Sequence, residues 1–154
     1  MNGMLTPAEI LAAIPQQQPF RFIDEILEID DEHVVAGVRF REDHEFYRGH
    51  FPGRPITPGV ILVEAMAQAA LVAHGIYLLA KETPRGIEPS GGLLSVFTDA
   101  NVEFAAMVPP GARVLTTGRK LFFRRRKFRS EVRMELENGR LVCSGQLSGI
   151  GVER

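Results

Sequence analysis

The stretch Thr57-Pro58-Gly59-Val60-Ile61-Leu62-Val63-Glu64-Ala65-Met66-Ala67-Gln68-Ala69-Ala70-Leu71-Val72-Ala73-His74-Gly75-Ile76-Tyr77-Leu78-Leu79-Ala80 decides the fold. Thr57 reads as an N-cap and Pro58 as the first helical residue. From Val60 to Ala80 the run is apolar, interrupted only by Glu64, Gln68, His74 and Gly75. Its length is that of a membrane span. Glu64 and Gln68 within it argue against one, because polar groups are costly in lipid. A helix apolar on nearly every side is otherwise one wrapped by protein. The expectation is one long buried helix and no membrane span.

The flanking segments supply the wrapping. Thr6-Pro7-Ala8-Glu9 is a capping box with proline at the first helical position, predicting a short helix to Ile14. Phe20–Ile29 and His33–Phe40 read as two strands joined at Asp30-Asp31. Arg41–Thr57 reads as a loop rich in Gly, Pro and His, and Lys81–Gly92 as a polar loop. Strands follow over Leu93–Phe104, Arg113–Phe123, Lys127–Leu136 and Leu141–Ile150. Turns are expected at Pro109-Pro110-Gly111 and at Asn138-Gly139, the latter a strong hairpin signal. This order predicts an α+β fold, an antiparallel sheet wrapped around a long central helix, as a single domain over residues 1–154.

Composition narrows the function classes. The 154 residues are 45% hydrophobic and 24% charged, enough for a core without metal or disulfide staples. The single cysteine, Cys143, excludes an intramolecular disulfide and a cysteine-rich metal site, and its strand context reads as core. A net charge of −1 argues against a dedicated nucleic-acid binder. The N-terminus shows no secretory pattern, so the cytoplasm is the expected compartment. The charge is unevenly spread. Between residues 112 and 133 lie Arg113, Arg119, Lys120, Arg124, Arg125, Arg126, Lys127, Arg129 and Arg133, against one acid, Glu131. Such a strip suits an acidic partner, or is a solvated strand pair.

Three elements can carry chemistry. His50 sits in Gly49-His50-Phe51-Pro52-Gly53-Arg54-Pro55, a loop stiffened by prolines and opened by glycines. Histidine suits proton transfer near neutral pH; a loop histidine satisfied by backbone hydrogen bonds is the alternative. Glu64 lies in an apolar helix, where burial raises a carboxyl pKa and keeps it able to donate a proton. Gln68, one turn on, can hold that carboxyl, or the pair can simply set helix register. The helix N-terminus at Gly59 offers an N–H without an internal acceptor, suited to charge developing on a carbonyl oxygen. His33, His44 and His74 show no metal-ligand spacing, and His74 reads as buried or interfacial. No dinucleotide, P-loop or nucleophile-elbow pattern is present.

Taken together, Gly49 to Pro55 and Pro58 to Gln68 closely resemble the signature of the beta-hydroxyacyl-ACP dehydratases, most of all the FabZ branch. Weaker likeness runs through Pro19-Phe20 and Asp24, Phe97 to Gly111, and Arg124 to Arg129. The resemblance implies a hot-dog fold paired into a homodimer, with three dimers forming a hexamer in many FabZ-like members. It implies a shared active site in which His50 of one subunit is the base and Glu64 of the other the acid. Gly59 would bind the thioester carbonyl, and Gln68, Phe51, Pro52 and Gly53 would support the site. The reaction implied is reversible dehydration of a (3R)-3-hydroxyacyl thioester carried on acyl carrier protein, in fatty acid or a related lipid or polyene pathway. No metal or redox cofactor is expected, since the elimination moves only protons. Val60, Val63, Ala67 and Phe97 are candidates for an acyl tunnel. Arg124, Arg125, Arg126, Lys127 and Arg129 are candidates for carrier-protein docking. Gln16-Gln17-Gln18, Ala105-Ala106-Met107-Val108 and Thr57 depart from the family pattern without removing a proposed catalytic group. Two rival readings use the same residues: a hot-dog thioesterase in which Glu64 activates water, and a non-catalytic subunit that binds acyl carrier protein.

Overall fold

The computed structural model describes residues 4–82 and 93–153. Helix α1 (Pro7–Ala13) is closed by the expected reciprocal cap, in which Thr6 Oγ1 accepts from the Glu9 N–H and the Glu9 carboxylate accepts from the Thr6 N–H. Strands β1 (Glu25–Ile29) and β2 (His33–Arg39) form the first hairpin. A four-residue helix, α2 (Phe46–Gly49), interrupts the segment expected to be loop. The central helix α3 spans Gly59–Glu82. Strands β3 (Leu93–Phe104), β4 (Arg113–Arg124), β5 (Lys127–Leu136) and β6 (Leu141–Glu153) follow. Most of the polar loop expected after α3 lies outside the described residues.

All six strands join one antiparallel sheet in the order β1-β2-β4-β5-β6-β3. The sheet wraps α3, which is apolar and long enough to cross a membrane but has most of its surface buried inside the fold. Leu62, Met66, Ala70, Ile76 and Tyr77 are buried against strand residues such as Val34, Val114, Val132 and Leu147. The helix and sheet meet closely at Gly118 on β4, where an added Cβ would fall 2.6 Å from the Ala70 Cβ. Cys143 is buried beside Met66, its thiol 3.7 Å from the thioether sulfur, and burial pushes its pKa up to about 12. It is core.

Three local expectations need correction. Pro58, not Thr57, is the N-cap of α3, and Gly59 is its first residue. Thr57 is buried with its hydroxyl 2.6 Å from the Tyr47 hydroxyl, so a tertiary partner holds the group that would have capped the helix. Strand β1 starts at Glu25 rather than Phe20. The Gln68 side chain takes the Phe22 N–H and the Phe20 carbonyl, removing two backbone groups that a ladder would need. Within α3, residues Gln68–Ala73 form a π-helical segment, for which Gln-Ala-Ala-Leu-Val-Ala carries no local signal.

Candidate active site

His50 terminates α2 and is fixed by main-chain hydrogen bonds. Its N–H donates to the Phe46 carbonyl at 3.0 Å, and its carbonyl accepts from the Ile56 N–H at 2.8 Å. Between them, Phe51 and Arg54 exchange N–H···O bonds of 3.1 and 2.9 Å around Gly53. Gly53 has φ +76°, a conformation that glycine adopts without a Cβ penalty. The loop is anchored beyond this ring by the Thr57 N–H, which donates to the buried Val108 carbonyl at 3.0 Å. The His50 Nδ1 lies 2.9 Å from the Ile56 carbonyl oxygen. A carbonyl only accepts, so Nδ1 carries the hydrogen in that bond and the neutral ring has its free lone pair at Nε2. Such an imidazole can take up a proton. The Phe51 ring stacks on it with centroids 4.1 Å apart, while Pro52 and Gly53 are exposed at the loop tip.

Glu64 is held differently. It lies in the second turn of α3, half buried, and burial raises its pKa above the usual carboxylate value. Gln68 Nε2 donates to Glu64 Oε2 at 2.9 Å, a bond that favours the carboxylate and opposes part of that shift. Gln68 is fully buried and has no freedom to turn over. Its Oε1 accepts from the Phe22 N–H at 2.7 Å, and its Nε2 also donates to the Phe20 carbonyl at 2.9 Å. With Oε2 occupied as an acceptor, Oε1 is the oxygen left to carry and deliver a proton.

The N-terminus of α3 supplies a third group. The Pro58 carbonyl accepts from the Ile61 and Leu62 N–H groups, and proline has no N–H, so Gly59 and Val60 hold the helix donors without a partner among the described residues. The lack of a side chain at Gly59 has a packing reason as well: a Cβ there would approach the Phe104 ring to 3.2 Å.

Glu64, Ala67 and Phe97 line one groove of about 250 Å³ together with Gln16, Leu71 and Val72. Leu71 and Val72 also border a second, apolar cavity of about 50 Å³ that reaches Gly75, Phe123 and Phe128. Two tunnel candidates, Ala67 and Phe97, therefore meet at the groove, and two do not. Val63 packs into the core and Val60 is 77% exposed at the helix start. Gln16 was visible in the sequence only as a departure from a pattern. Its role as a wall of this groove had no local signal. The residues that line the groove do not include the His50 loop.

The basic hairpin is less uniform than its composition. Arg125 and Arg126 form its two-residue turn, both with positive φ. Arg126 pairs with Glu153 at 3.6 Å, and Arg129 pairs with Asp99 and donates to Ser148 Oγ. Earlier in the strip, Arg113 pairs with Glu25 and Lys120 with Glu32. Arg124, Arg125 and Lys127 have no carboxylate at ion-pair distance among the described residues.

The other histidines lie outside this arrangement. His74 is buried and donates from Nε2 to the Asp30 carbonyl at 2.8 Å, and burial lowers its pKa. His44 is stacked on Phe46, also with a lowered pKa from burial. His33 bridges Glu28 and Asp30 at the surface, and these carboxylates raise its pKa. Among the described residues no group of three or more His, Cys, Asp or Glu side chains is placed to hold a metal.

The chain is similar to several known proteins. A family model described as a FabA-like domain matches residues 14–147. The chain is 35% identical to a 3-hydroxyacyl-[acyl-carrier-protein] dehydratase FabZ of Streptococcus pyogenes serotype M49, over 94% of this chain and 96% of that one. It is 34% identical to the FabZ of Streptococcus uberis, with the same coverage. The dehydratase heterocomplex ApeI:P from Xenorhabdus doucetiae superposes with a TM-score of 0.75 at 15% identity, covering 97% of this chain and 93% of that chain. A hypothetical thioesterase with coenzyme A from Streptococcus pneumoniae superposes with a TM-score of 0.55, also at 15% identity, covering 84% and 86%. At that identity the two structures show the fold alone, and the fold is the hot-dog. The family model and the end-to-end match to FabZ sequences establish the rest: the chain belongs to the FabA-like hot-dog family, in its FabZ-like branch.

Proposed function

We propose that this protein catalyses the reversible loss of water from a (3R)-3-hydroxyacyl thioester on acyl carrier protein, giving the trans-2-enoyl thioester, in fatty acid or related lipid synthesis. The observation that carries the reading is the opposite preparation of the two proton-transfer groups. His50 has its tautomer set for accepting a proton at Nε2. Glu64 has its pKa raised by burial, which favours the acid that can give one.

In the reaction His50 Nε2 takes the proton from the carbon next to the thioester carbonyl. Charge moves onto the carbonyl oxygen, where the Gly59 N–H at the positive end of α3 receives it. Glu64 Oε1 protonates the departing hydroxyl while Oε2 stays on Gln68. A C–H and a C–O bond break, the C=C bond forms, and one water leaves. His50 has gained a proton and Glu64 has lost one, so solvent exchange resets both. Only protons move, so no cofactor is called for beyond the pantetheine arm that carries the substrate. The acyl chain follows Ala67, Leu71 and Val72 along the groove toward the adjoining apolar cavity.

The site takes His50 and Glu64 from opposite protomers of a homodimer. Two observations favour this. The Glu64 groove is walled without the His50 loop. Strand β3 is an edge of the sheet and exposes Val96, Phe97 and Phe104, the kind of apolar edge that a second strand covers. The carrier protein, working in the cytoplasm, meets Arg124, Arg125 and Lys127, hairpin cations with no ion-pair partner among the described residues.

The test is turnover of 3-hydroxyacyl-carrier substrates, followed by enoyl absorbance and by free-thiol release in parallel. The wild type produces enoyl thioester without thiol. His50→Ala and Glu64→Gln each lose about 10²–10⁴-fold in kcat, the range for a positioned acid or base. Thiol release without enoyl product would favour the thioesterase. Carrier binding with no turnover, unchanged in His50→Ala, would favour the non-catalytic subunit.

A further inference from the structure

The bond between the Tyr47 and Thr57 hydroxyls has no part in the mechanism above, yet it joins the two ends of the segment that carries His50. Helix α2 has four residues, and Tyr47 is the one of them that is buried. A single helical turn holds its own direction poorly, so tertiary contacts must set it. The Tyr47 ring belongs to the core, and its hydroxyl lies 2.6 Å from Thr57 Oγ1. Thr57 is buried and pinned in turn, its N–H donating to the Val108 carbonyl at 3.0 Å. His50, the C-cap of α2, stands between these two anchors. The main-chain bonds of residues 46 to 56 give the loop its own shape. The hydroxyl bond fixes how that shape stands on the core. Thr57 departs from the family pattern, so this bond is no part of the shared signature.

We infer that the Tyr47–Thr57 hydroxyl bond is a positioning device for the base, setting the direction of α2 and with it the place of the His50 ring. The inference rests on the dehydratase reading of the site. Neither hydroxyl touches substrate; both act through His50. Either one can donate while the other accepts. Two buried hydroxyls satisfy each other only within a narrow range of distance and angle, whereas a ring packed on apolar neighbours can slide. The reacting atoms of a base and its C–H carbon must stand about 3–3.5 Å apart, and small misplacements are costly in rate. The bond therefore acts on the chemical step. Substrate affinity comes from the acyl chain and the carrier protein, which it does not meet.

The experiment compares wild type with Thr57→Val, Thr57→Ser, Tyr47→Phe and the double variant Tyr47→Phe with Thr57→Val. For each, kcat and KM are read with a 3-hydroxyacyl-carrier substrate at a temperature well below the lowest Tm. Thr57→Val and Tyr47→Phe keep the side-chain shape and remove one hydroxyl each. Both should lose about fivefold in kcat with KM within about twofold of wild type. Thr57→Ser keeps the hydroxyl and should restore kcat to within about twofold of wild type. The double variant should be no slower than the slower single variant, since one bond is lost in all three. A Tm that falls while kcat holds would overturn the inference, because the bond would then only stabilise the fold. So would a rise in KM at constant kcat, losses that multiply in the double variant, or a Thr57→Ser as slow as Thr57→Val. A wild type with no turnover would defeat the dehydratase reading itself, before any variant is compared.

Discussion

The His50 loop and the Glu64 turn of α3 hold their functional groups by opposite means. The loop is fixed by its own main chain: four N–H···O bonds of 2.8 to 3.1 Å link residues 46 to 56, and the imidazole is tied to the Ile56 carbonyl. The Glu64 carboxyl is fixed by one side chain, Gln68, which is held in turn by backbone groups more than forty residues away. The first device depends little on which side chains flank His50. The second depends on one amide with every hydrogen-bonding group in use.

Substitution at Gln68 breaks the comparison most strongly. Gln68→Leu strips Phe22 and Phe20 of their partners and frees the acid. Each orphaned backbone group costs about 1–3 kcal/mol, so Tm falls and kcat drops by about tenfold or more. The remaining activity should extend to higher pH. The lost bond favoured the carboxylate, so Glu64 keeps its proton further up the scale and the alkaline limb of the kcat profile moves upward. In the loop, Phe51→Leu removes a stacked ring that is half exposed and no backbone bond. Its kcat should stay within about threefold of wild type, since the geometry that sets the tautomer is untouched. A loop variant as damaging as the Gln68 variant would erase the distinction.

The same contrast explains what was legible in the sequence. Local signals read well. The Thr6–Glu9 cap, the long apolar helix and the four later strands all stand close to their expected places, because each is written in neighbouring residues. The His50 loop was legible for that reason too, with its prolines and glycines adjacent in the chain. Long-range hydrogen bonds were not. Thr57 looked like a cap until Tyr47 claimed its hydroxyl. Phe20–Asp24 looked like strand until Gln68 took its backbone groups. Of the tunnel candidates, Val60 and Val63 do not line the groove. Glu64, Ala67 and Leu71 line the groove, whereas Val63 packs partly buried against the core and Val60 is exposed at the helix start.

A smaller effect sharpens the picture on the helix side. Gly75 borders the cavity that adjoins the Glu64 groove, and an added Cβ there would meet the Phe128 ring at 3.6 Å. Gly75→Ala therefore narrows the cavity, its methyl group standing at ordinary contact distance. It should cut kcat/KM for long acyl chains by about tenfold relative to short ones, read across a chain-length series. A uniform change at all lengths would place the chain elsewhere. Smallest is the docking effect. Reversing charge at Arg125 and Lys127 should raise KM for the carrier-bound substrate about fivefold, since exposed charges contribute modestly and are screened by salt. A short thioester mimic should be unaffected, and an equal loss on both would remove the hairpin from carrier recognition.

The central claim is that one protomer's His50 works with its partner's Glu64, and mixing two inactive variants tests it directly. A dimer of one His50→Ala chain and one Glu64→Gln chain would contain one site with both native groups and one with neither. Random reassociation of equal amounts makes about half the dimers mixed, so about a quarter of wild-type activity should return. A mixture that reassociates into hybrid dimers yet stays as inactive as its parents would contradict the account.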